Sequence, residues 1–462
     1  MVRSWIGRVV ACAALSLIGT PAAAEQAAAP STQAAAPVVQ GAPVTPAAPG
    51  VQLPVDAAMQ DAAVYAQRFG VPLDTAMHRL RAQADSVATT DALRTAFADR
   101  WAGVAIEHQP DYRIVVLLTG TDPVLDRTIA AGGIVVPIVF RTGAGATRLA
   151  LLAALSKYQA TIRQSLPHPP GMGVDQRTGE LVVAISSGDA DLNRDGTLRA
   201  RIAALTGVPI RIEVLDQQAT TMAEQIGGPA TLPDSTVGAI ASEPIRGGAR
   251  VIGTVDGKRY ACTTGFTVTD GMRYGVVTAA HCPDTLAYVD AERHEWPLDY
   301  VGQWGWGYQD VQVNVARGPL GPLFYADTAK TLARPVVTWR YRTSTRAGDF
   351  VCHRGERTGY SCALIAMVDF APAGDLCGGA CLPTWVEVEG PTCRGGDSGA
   401  PVFEGTTALG IVKGGTYAKD GTCLFYYYMS TDYLPTGWTL VHQPAAAPLM
   451  VQPLPTVADT AR

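Results

Sequence analysis

Gly395-Gly396-Asp397-Ser398-Gly399-Ala400-Pro401 is the stretch from which the rest of the chain is read. A serine nucleophile needs an exposed Oγ and two backbone N–H groups aimed at a developing oxyanion. Glycines let the chain turn so that such N–H groups converge, and Gly396 and Ser398 are the natural donors. Alone, the string could be a simple turn. A second motif lies upstream, Thr278-Ala279-Ala280-His281-Cys282, where an apolar run ends on a histidine followed by a cysteine. The chain has only 7 histidines, so this placement is informative. A general base must be held within about 3 Å of its nucleophile, and a disulfide beside it would fix its loop. A lone histidine is more often structural; the two motifs together argue for a Ser398–His281 pair.

Outward from these motifs, the texture from Ile245 onward is that of short Gly-rich strands. Runs such as Thr264–Val268 and Tyr274–Thr278 are separated by turn residues, the pattern of an all-β barrel or sandwich. Of the 9 cysteines, Cys12 falls in the N-terminal leader and the others are Cys262, Cys282, Cys352, Cys362, Cys377, Cys381, Cys393 and Cys423. An even set in an exported chain implies disulfides, and no paired C-x-x-C motif suggests zinc. Residues 1–24 have the positive start, short apolar core and small-residue end of a signal peptide. Residues 25–55 are an Ala/Pro-rich linker, and residues 441–462 a Pro/Ala-rich disordered tail.

The cysteine-free segment 56–240 reads as α+β. Leu73, Met77 and Leu80 form a helix stripe, and Thr89 and Thr90 can open a second helix carrying Leu93 and Phe97 inward. Tyr112–Leu118, Gly133–Phe140, Leu181–Ser186 and Pro209–Leu215 read as strands, with helices over Thr147–Gln164 and Leu198–Leu205. Asp191-Leu192-Asn193-Arg194-Asp195-Gly196 resembles the opening of a calcium loop, but Ile202 stands where the bidentate acid belongs, so it reads as a loop capping the next helix. Gln218 to about Ser242 is small and polar, a linker or processing region. The net charge of -5 and the absence of any Lys/Arg block exclude a nucleic-acid surface, and no later segment looks membrane-spanning.

From about Ile245 to Trp438 the chain resembles the chymotrypsin-type serine proteases, most closely the bacterial branch of α-lytic protease and the streptogrisins. The resemblance rests on the two motifs above, on Ile245-Arg246-Gly247-Gly248, on Cys262-Thr263-Thr264-Gly265-Phe266-Thr267-Val268, and on the loop from Cys352 to Cys362. It implies an all-β two-barrel domain over 245–440 behind an α+β pro-region over 56–240. It implies pairs Cys262–Cys282, Cys352–Cys362 and Cys393–Cys423, leaving Cys377 and Cys381 to each other. The third member of a triad with His281 and Ser398 should open a short apolar strand between the two motifs. Asp310-Val311-Gln312-Val313 fits, whereas Asp299 and Asp327 open no such strand. The implied oxyanion donors are the N–H groups of Gly396 and Ser398. The implied substrate pocket involves Thr392, Val412, Gly414, Gly415 and Tyr427.

Three positions depart from that pattern. Asp397 usually meets an arginine directly after the first cysteine of the central loop; here His353 holds that place and Arg354 follows, so either is a candidate partner. Lys413 stands where a serine normally contacts the triad carboxylate. It could ion-pair with Asp310 and weaken its support of the imidazolium, or point to solvent. Ala400 replaces a glycine. The expected protein is therefore a secreted, monomeric serine endopeptidase, extracellular or periplasmic, made as a pro-protein. It would act on polypeptides, engage its own pro-region, and need no metal or cofactor. The alternative is a secreted pseudoprotease that binds a protein partner. The absence of an acid near the pocket favours apolar side chains before the scissile bond, with Arg394 a possible recruiter of an acidic one. The expected processing cut lies between Gly227 and Ile245.

Overall fold

The computed structural model describes residues 49–215, 219–221, 223–227, 244–317, 320–390 and 392–444. The expected leader, most of the linker, nearly all of the stretch between Gly227 and Ile245, and the tail beyond 444 lie outside the described residues. Among them, no helix is long and apolar enough to cross a membrane.

Residues 54–215 are α+β. Helix α1 (Pro54–Phe69) starts with proline at its first position and ends at Gly70 in the left-handed region. Helices α2 (Leu73–Asp85) and α3 (Val87–Ala96) follow. The expected stripe is shifted: Leu73 is exposed, and α2 buries Ala76, Leu80 and Gln83. Gln83 faces inward because its side-chain amide pairs with the backbone of Phe350, donating to O at 3.1 Å and accepting from N at 2.7 Å. Helix α3 begins beyond Ser86, before the expected threonines. Strands β1 (Trp101–Glu107), β2 (Arg113–Thr119), β3 (Arg127–Ala131) and β4 (Ile134–Ala144) form one sheet in the order β1–β2–β4–β3. Helix α4 (Arg148–Gln164) is capped by Thr147, whose hydroxyl accepts from Ala150 N at 3.1 Å. It covers a second sheet of β5 (Gly171–Asp175), β6 (Glu180–Ser186) and β7 (Ile210–Leu215) with α5 (Thr197–Thr206). Asn193 Oδ1 accepts from Arg199 N at 3.1 Å at the start of α5, the capping role expected for that loop.

The stretch read as a linker holds two short strands, β8 (Ala219–Thr221) and β9 (Glu224–Ile226). Order also begins earlier than Asp56, because Gly50–Val51 pairs with Leu332–Ala333.

The rest is two β-barrels. The first contains β10 (Ile245–Gly247), β11 (Arg250–Val255), β12 (Lys258–Thr263), β13 (Thr267–Thr269), β14 (Tyr274–Thr278), β15 (Leu286–Val289), β16 (Glu295–Pro297), β17 (Asp299–Trp304), β18 (Val311–Val315), β19 (Leu320–Tyr325) and β20 (Leu332–Pro335). Its sheets run β9–β12–β11–β15–β16, then β17–β18–β14–β13, and β10–β19–β20. The second contains β21 (Phe350–Gly355), β22 (Gly359–Ala371), β23 (Trp385–Glu389), β24 (Pro401–Glu404), β25 (Thr407–Tyr417) and β26 (Cys423–Ser430). Here the path β21–β24–β25–β26–β23–β22 closes through the β21–β22 pairing into a six-stranded antiparallel barrel. Closure leaves no free edge along those pairings. Disulfides join Cys262 to Cys282, Cys352 to Cys362, Cys377 to Cys381 and Cys393 to Cys423.

The N-terminal region is built into this second barrel. Strand β5 pairs with the far end of β22, Asp369 opposite Val174 and Ala371 opposite Met172. Asp369, fully buried, accepts from Nε and Nη2 of Arg148 at 2.6 and 2.8 Å and also meets Arg342. Asp61 of α1 meets Arg334 at 2.8 Å and accepts from Tyr360 Oη at 2.6 Å. Met367 and Tyr427, on the outside of the barrel, pack with Val182 and Ala219.

Glu387 lies opposite both Met367 and Tyr427, at this junction. It is 2% exposed, and among the described residues its Oε2 has no hydrogen-bond partner. Burial pushes its carboxyl well above the usual range, and Glu213, Asp175 and Glu389 push the same way against Arg177. The folded protein therefore holds a proton that the unfolded chain releases above about pH 4.3. That stabilisation is complete below the unfolded value and is lost as pH rises through the raised folded one. Glu387→Gln removes the titration. In thermal unfolding between about pH 5 and about pH 8, the variant should gain on the wild type as pH rises, by about 1.4 kcal/mol for each unit of displacement. A constant difference across that range would contradict the assignment.

Candidate active site

The cleft between the barrels gathers three side chains from three loops. His281 follows β14 and Asp310 precedes β18, a neighbouring pair in one sheet; Ser398 precedes β24 of the other barrel. Ser398 Oγ lies 2.7 Å from His281 Nε2, and His281 Nδ1 lies 2.8 Å from Asp310 Oδ2. The His281 backbone N–H also donates to Asp310 Oδ1 at 3.1 Å. Both carboxylate oxygens are thus used to fix one residue, which sets ring orientation as well as position. The rivals Asp299 and Asp327 are elsewhere: Asp299 pairs with Arg317 on the surface, and Asp327 holds its own turn through Thr331 and Leu332.

Lys413 does not point to solvent. Its Nζ donates to Asp310 Oδ2 at 3.0 Å and sits 4.7 Å over the Trp385 ring, with its side chain 1% exposed. Burial alone would raise the Asp310 carboxyl, but the charges and hydrogen bonds of His281 and Lys413 outweigh it and hold the group well below the usual carboxylate range.

The turn around Ser398 is fixed from below. Ser398 O accepts from Thr263 N at 2.8 Å, and Gly399 N donates to Val412 O at 2.8 Å, so the serine is strung between β12 and β25. Gly396 has φ 101°, a region that favours glycine. A Cβ on Gly399 would lie 2.2 Å from Thr278 Oγ1. The Asp397 N–H is bound to Arg394 O, while the N–H groups of Gly396 and Ser398 flank it on either side.

Asp397 finds neither of its expected partners. Arg354 is turned to Glu356, Gly248 and the carbonyls of Asp327 and Thr328, and His353 packs at a tilt against the Tyr426 ring. Asp397 Oδ1 instead accepts from Arg357 N at 3.0 Å and Thr358 N at 3.1 Å, and Oδ2 accepts from Thr358 Oγ1 at 2.8 Å and Arg394 N at 2.9 Å. Burial still raises its carboxyl, against the pull of those bonds. The loop reaches Asp397 because residue 355 is glycine; a Cβ there would lie 2.0 Å from Asp397 Oδ1.

The five expected pocket residues separate. Thr392 lines a cavity of about 220 Å³ with Arg394, Thr358 and Asp420. Val412 packs inside the barrel with Tyr426 and Tyr428. Gly414 and Gly415 are backbone partners of Thr221 and Thr220 in β8. Tyr427 does not share the face of Val412. A bulge between Val412 and Gly414 breaks the register, and its ring stacks on Phe370 outside the barrel. Sequence reading missed β8 and β9 here altogether.

Comparison of the sequence with family models and with curated proteins finds no match. Among solved structures, the chain is similar to Thermobifida fusca protease A at 22% identity and TM-score 0.36, over 44% of this chain and 100% of that one. It is similar to Nocardiopsis protease at 21% identity and TM-score 0.33, over 41% and 93%. An α-lytic protease homolog, N4, gives 21% identity and TM-score 0.32, over 41% and 94%. These neighbours are bacterial chymotrypsin-like proteases.

Thr358→Val removes one of four donors from the buried Asp397 carboxyl. It should cost about 1–3 kcal/mol of stability in denaturant unfolding. A loss below about 0.5 kcal/mol would mean that the backbone donors alone satisfy Asp397.

Proposed function

We propose that the chain is an exported serine endopeptidase that hydrolyses peptide bonds by acyl transfer. The observation that carries this reading is the unbroken chain of short hydrogen bonds from Ser398 Oγ through His281 to Asp310. Ser398 Oγ attacks the peptide carbonyl carbon while His281 Nε2 takes its proton. Asp310 keeps the Nδ1 proton in place and balances the imidazolium. The N–H groups of Gly396 and Ser398 receive the oxyanion. His281 then protonates the leaving amine, and water hydrolyses the acyl ester by the same steps in reverse roles. An apolar side chain before the scissile bond suits a site with no carboxylate among the described residues of 392–394 and 412–415 to meet a cation.

The segment 56–240 acts as a pro-region that assists folding and then blocks the enzyme. Two observations support this. Its second sheet extends the second barrel through β5 and β22, and its last strands pair with one barrel each, β8 with β25 and β9 with β12. Two-barrel folds rest on non-local pairings and form slowly, so a docked template lowers a real barrier.

The rival reading, a binding protein with a silent site, draws on Lys413 beside Asp310. Ser398→Ala separates the two. It should lose on the order of 10⁶-fold in kcat on a peptide ester while its unfolding curve is unchanged. Near wild-type turnover would refute the nucleophile.

Lys413 gives a second test. Lys413→Ser puts an uncharged hydroxyl beside Asp310 in place of the ammonium, and the rate near pH 8 should be unchanged or raised. A rate drop beyond about tenfold near pH 8, roughly 1.4 kcal/mol, would assign Lys413 a different role.

A further inference from the structure

Thr263, the last residue of β12, is fully buried and reaches three separate parts of the site. Its N–H donates to Ser398 O at 2.8 Å. Its hydroxyl donates to Gly396 O at 2.7 Å and accepts from Glu356 N at 3.0 Å. Its carbonyl accepts from Thr278 Oγ1 at 2.7 Å. The direction of the hydroxyl bonds follows from the partners. A backbone N–H can only donate and a carbonyl can only accept, so the single hydroxyl proton is committed to Gly396 O. The other contacts carry the same anchor outward. Thr278 ends β14, the strand that leads to His281, and Glu356 precedes Arg357 and Thr358, whose N–H groups hold Asp397. Thr263 also follows Cys262, which is bonded to the Cys282 beside His281.

Two of these bonds fall on carbonyls that alternate with the N–H groups assigned to the oxyanion. Those two groups, of Gly396 and Ser398, have no acceptor among the described residues. The peptide unit that follows each of them is pinned at both ends. The unit from Gly396 to Asp397 has its carbonyl on Thr263 Oγ1 and its N–H on Arg394 O at 3.1 Å. The unit from Ser398 to Gly399 has its carbonyl on Thr263 N and its N–H on Val412 O at 2.8 Å. Gly396 has φ 101° and no side chain to limit its backbone, so without the first pin its two peptide units can turn against each other. The Thr263 N–H would be present in any residue but proline. The hydroxyl is what threonine adds.

We infer that the Thr263 hydroxyl is a positioning group for the oxyanion donors. By holding Gly396 O, it fixes the peptide unit against which the Gly396 N–H is aimed. The inference rests on the peptidase reading. Thr263 touches no reacting atom and acts through Gly396. Donors that are already aimed need no reorientation as charge develops on the carbonyl oxygen, which is where their advantage over water lies. A donor allowed to swing is lost from the transition state more than from the bound substrate, so its loss falls on kcat and leaves KM nearly alone.

The full chain is expressed in an oxidising compartment as wild type, Thr263→Val, Thr263→Ala and Thr263→Ser. Valine keeps the branched shape without the hydroxyl, and alanine removes the hydroxyl without crowding, so the test does not depend on one variant folding. Serine keeps the hydroxyl. Each is assayed on an apolar peptide ester, with rates taken per acylated site. Inhibition is measured with a peptide aldehyde and with the matching peptide alcohol. Ser398 Oγ can add to the aldehyde carbon, and the resulting hemiacetal oxygen takes the oxyanion's place; the alcohol forms no such adduct. Thr263→Val and Thr263→Ala should lose about 10- to 10²-fold in kcat, and a similar factor in aldehyde affinity. Their KM and alcohol affinity should stay within about twofold of wild type, and Thr263→Ser should recover kcat to within about threefold. Wild-type kcat in the valine or alanine variant overturns the inference. So does a fall in kcat with aldehyde affinity retained, or a serine variant as impaired as valine. Each of these outcomes leaves the peptidase reading standing, whereas no ester turnover by the wild type removes that reading itself.

Discussion

The carboxylate of Asp310 is the constraint on which the site depends. It is buried, and it accepts from three donors: the backbone and ring of His281 and the ammonium of Lys413. A buried carboxylate with a single partner would be costly, and breaking such a cluster by removing one member costs several kcal/mol. Here the donors come from the loop after β14 and from β25, so one anion ties the first barrel to the second. Lys413 strengthens that tie by donating to Asp310 Oδ2 from the second barrel.

Ser398 depends on a second set of constraints, and these are steric. Its loop is pinned to β12 by one backbone bond, Thr263 to Ser398, and to β25 by two, between Val412 and the pair Gly399 and Ala400. Gly355 and Gly399 leave room where Asp397 and Thr278 approach. Asp397 is held by backbone N–H groups and one hydroxyl instead of a guanidinium. That choice frees Arg354 to bind carbonyls of the first barrel, so the two barrels gain another bridge where a local ion pair was expected.

What could be read in the sequence follows from how local each signal is. The two motifs, the acid opening an apolar strand and the cysteine spacing are carried by neighbouring residues, and the triad positions come together at hydrogen-bond distance. Helices α2 to α5 of the N-terminal region were legible for the same reason, since period and caps are local, whereas α1 went unread. The inward face of α2 was not, because Gln83 is buried for a backbone partner more than two hundred residues away in sequence. Strands β1 and β5 were missed for want of clear alternation. Strands β8 and β9 were unreadable in principle: three residues carry no period, and they are strands only because the cleft supplies their partners. The direction of Lys413 was left open because its partners, Asp310 and Trp385, come from two other strands' ends.

The same non-locality governs how the N-terminal region is joined to the second barrel. The second barrel closes on itself, so its ladder offers little edge, yet β22 runs past the closure and its far end is completed by β5. Buried polar groups then fix the docking: Asp369 needs Arg148, and Asp61 needs Arg334 and Tyr360. Undocking would strand the buried Asp61 and Arg334 and leave Asp369 with Arg342 alone.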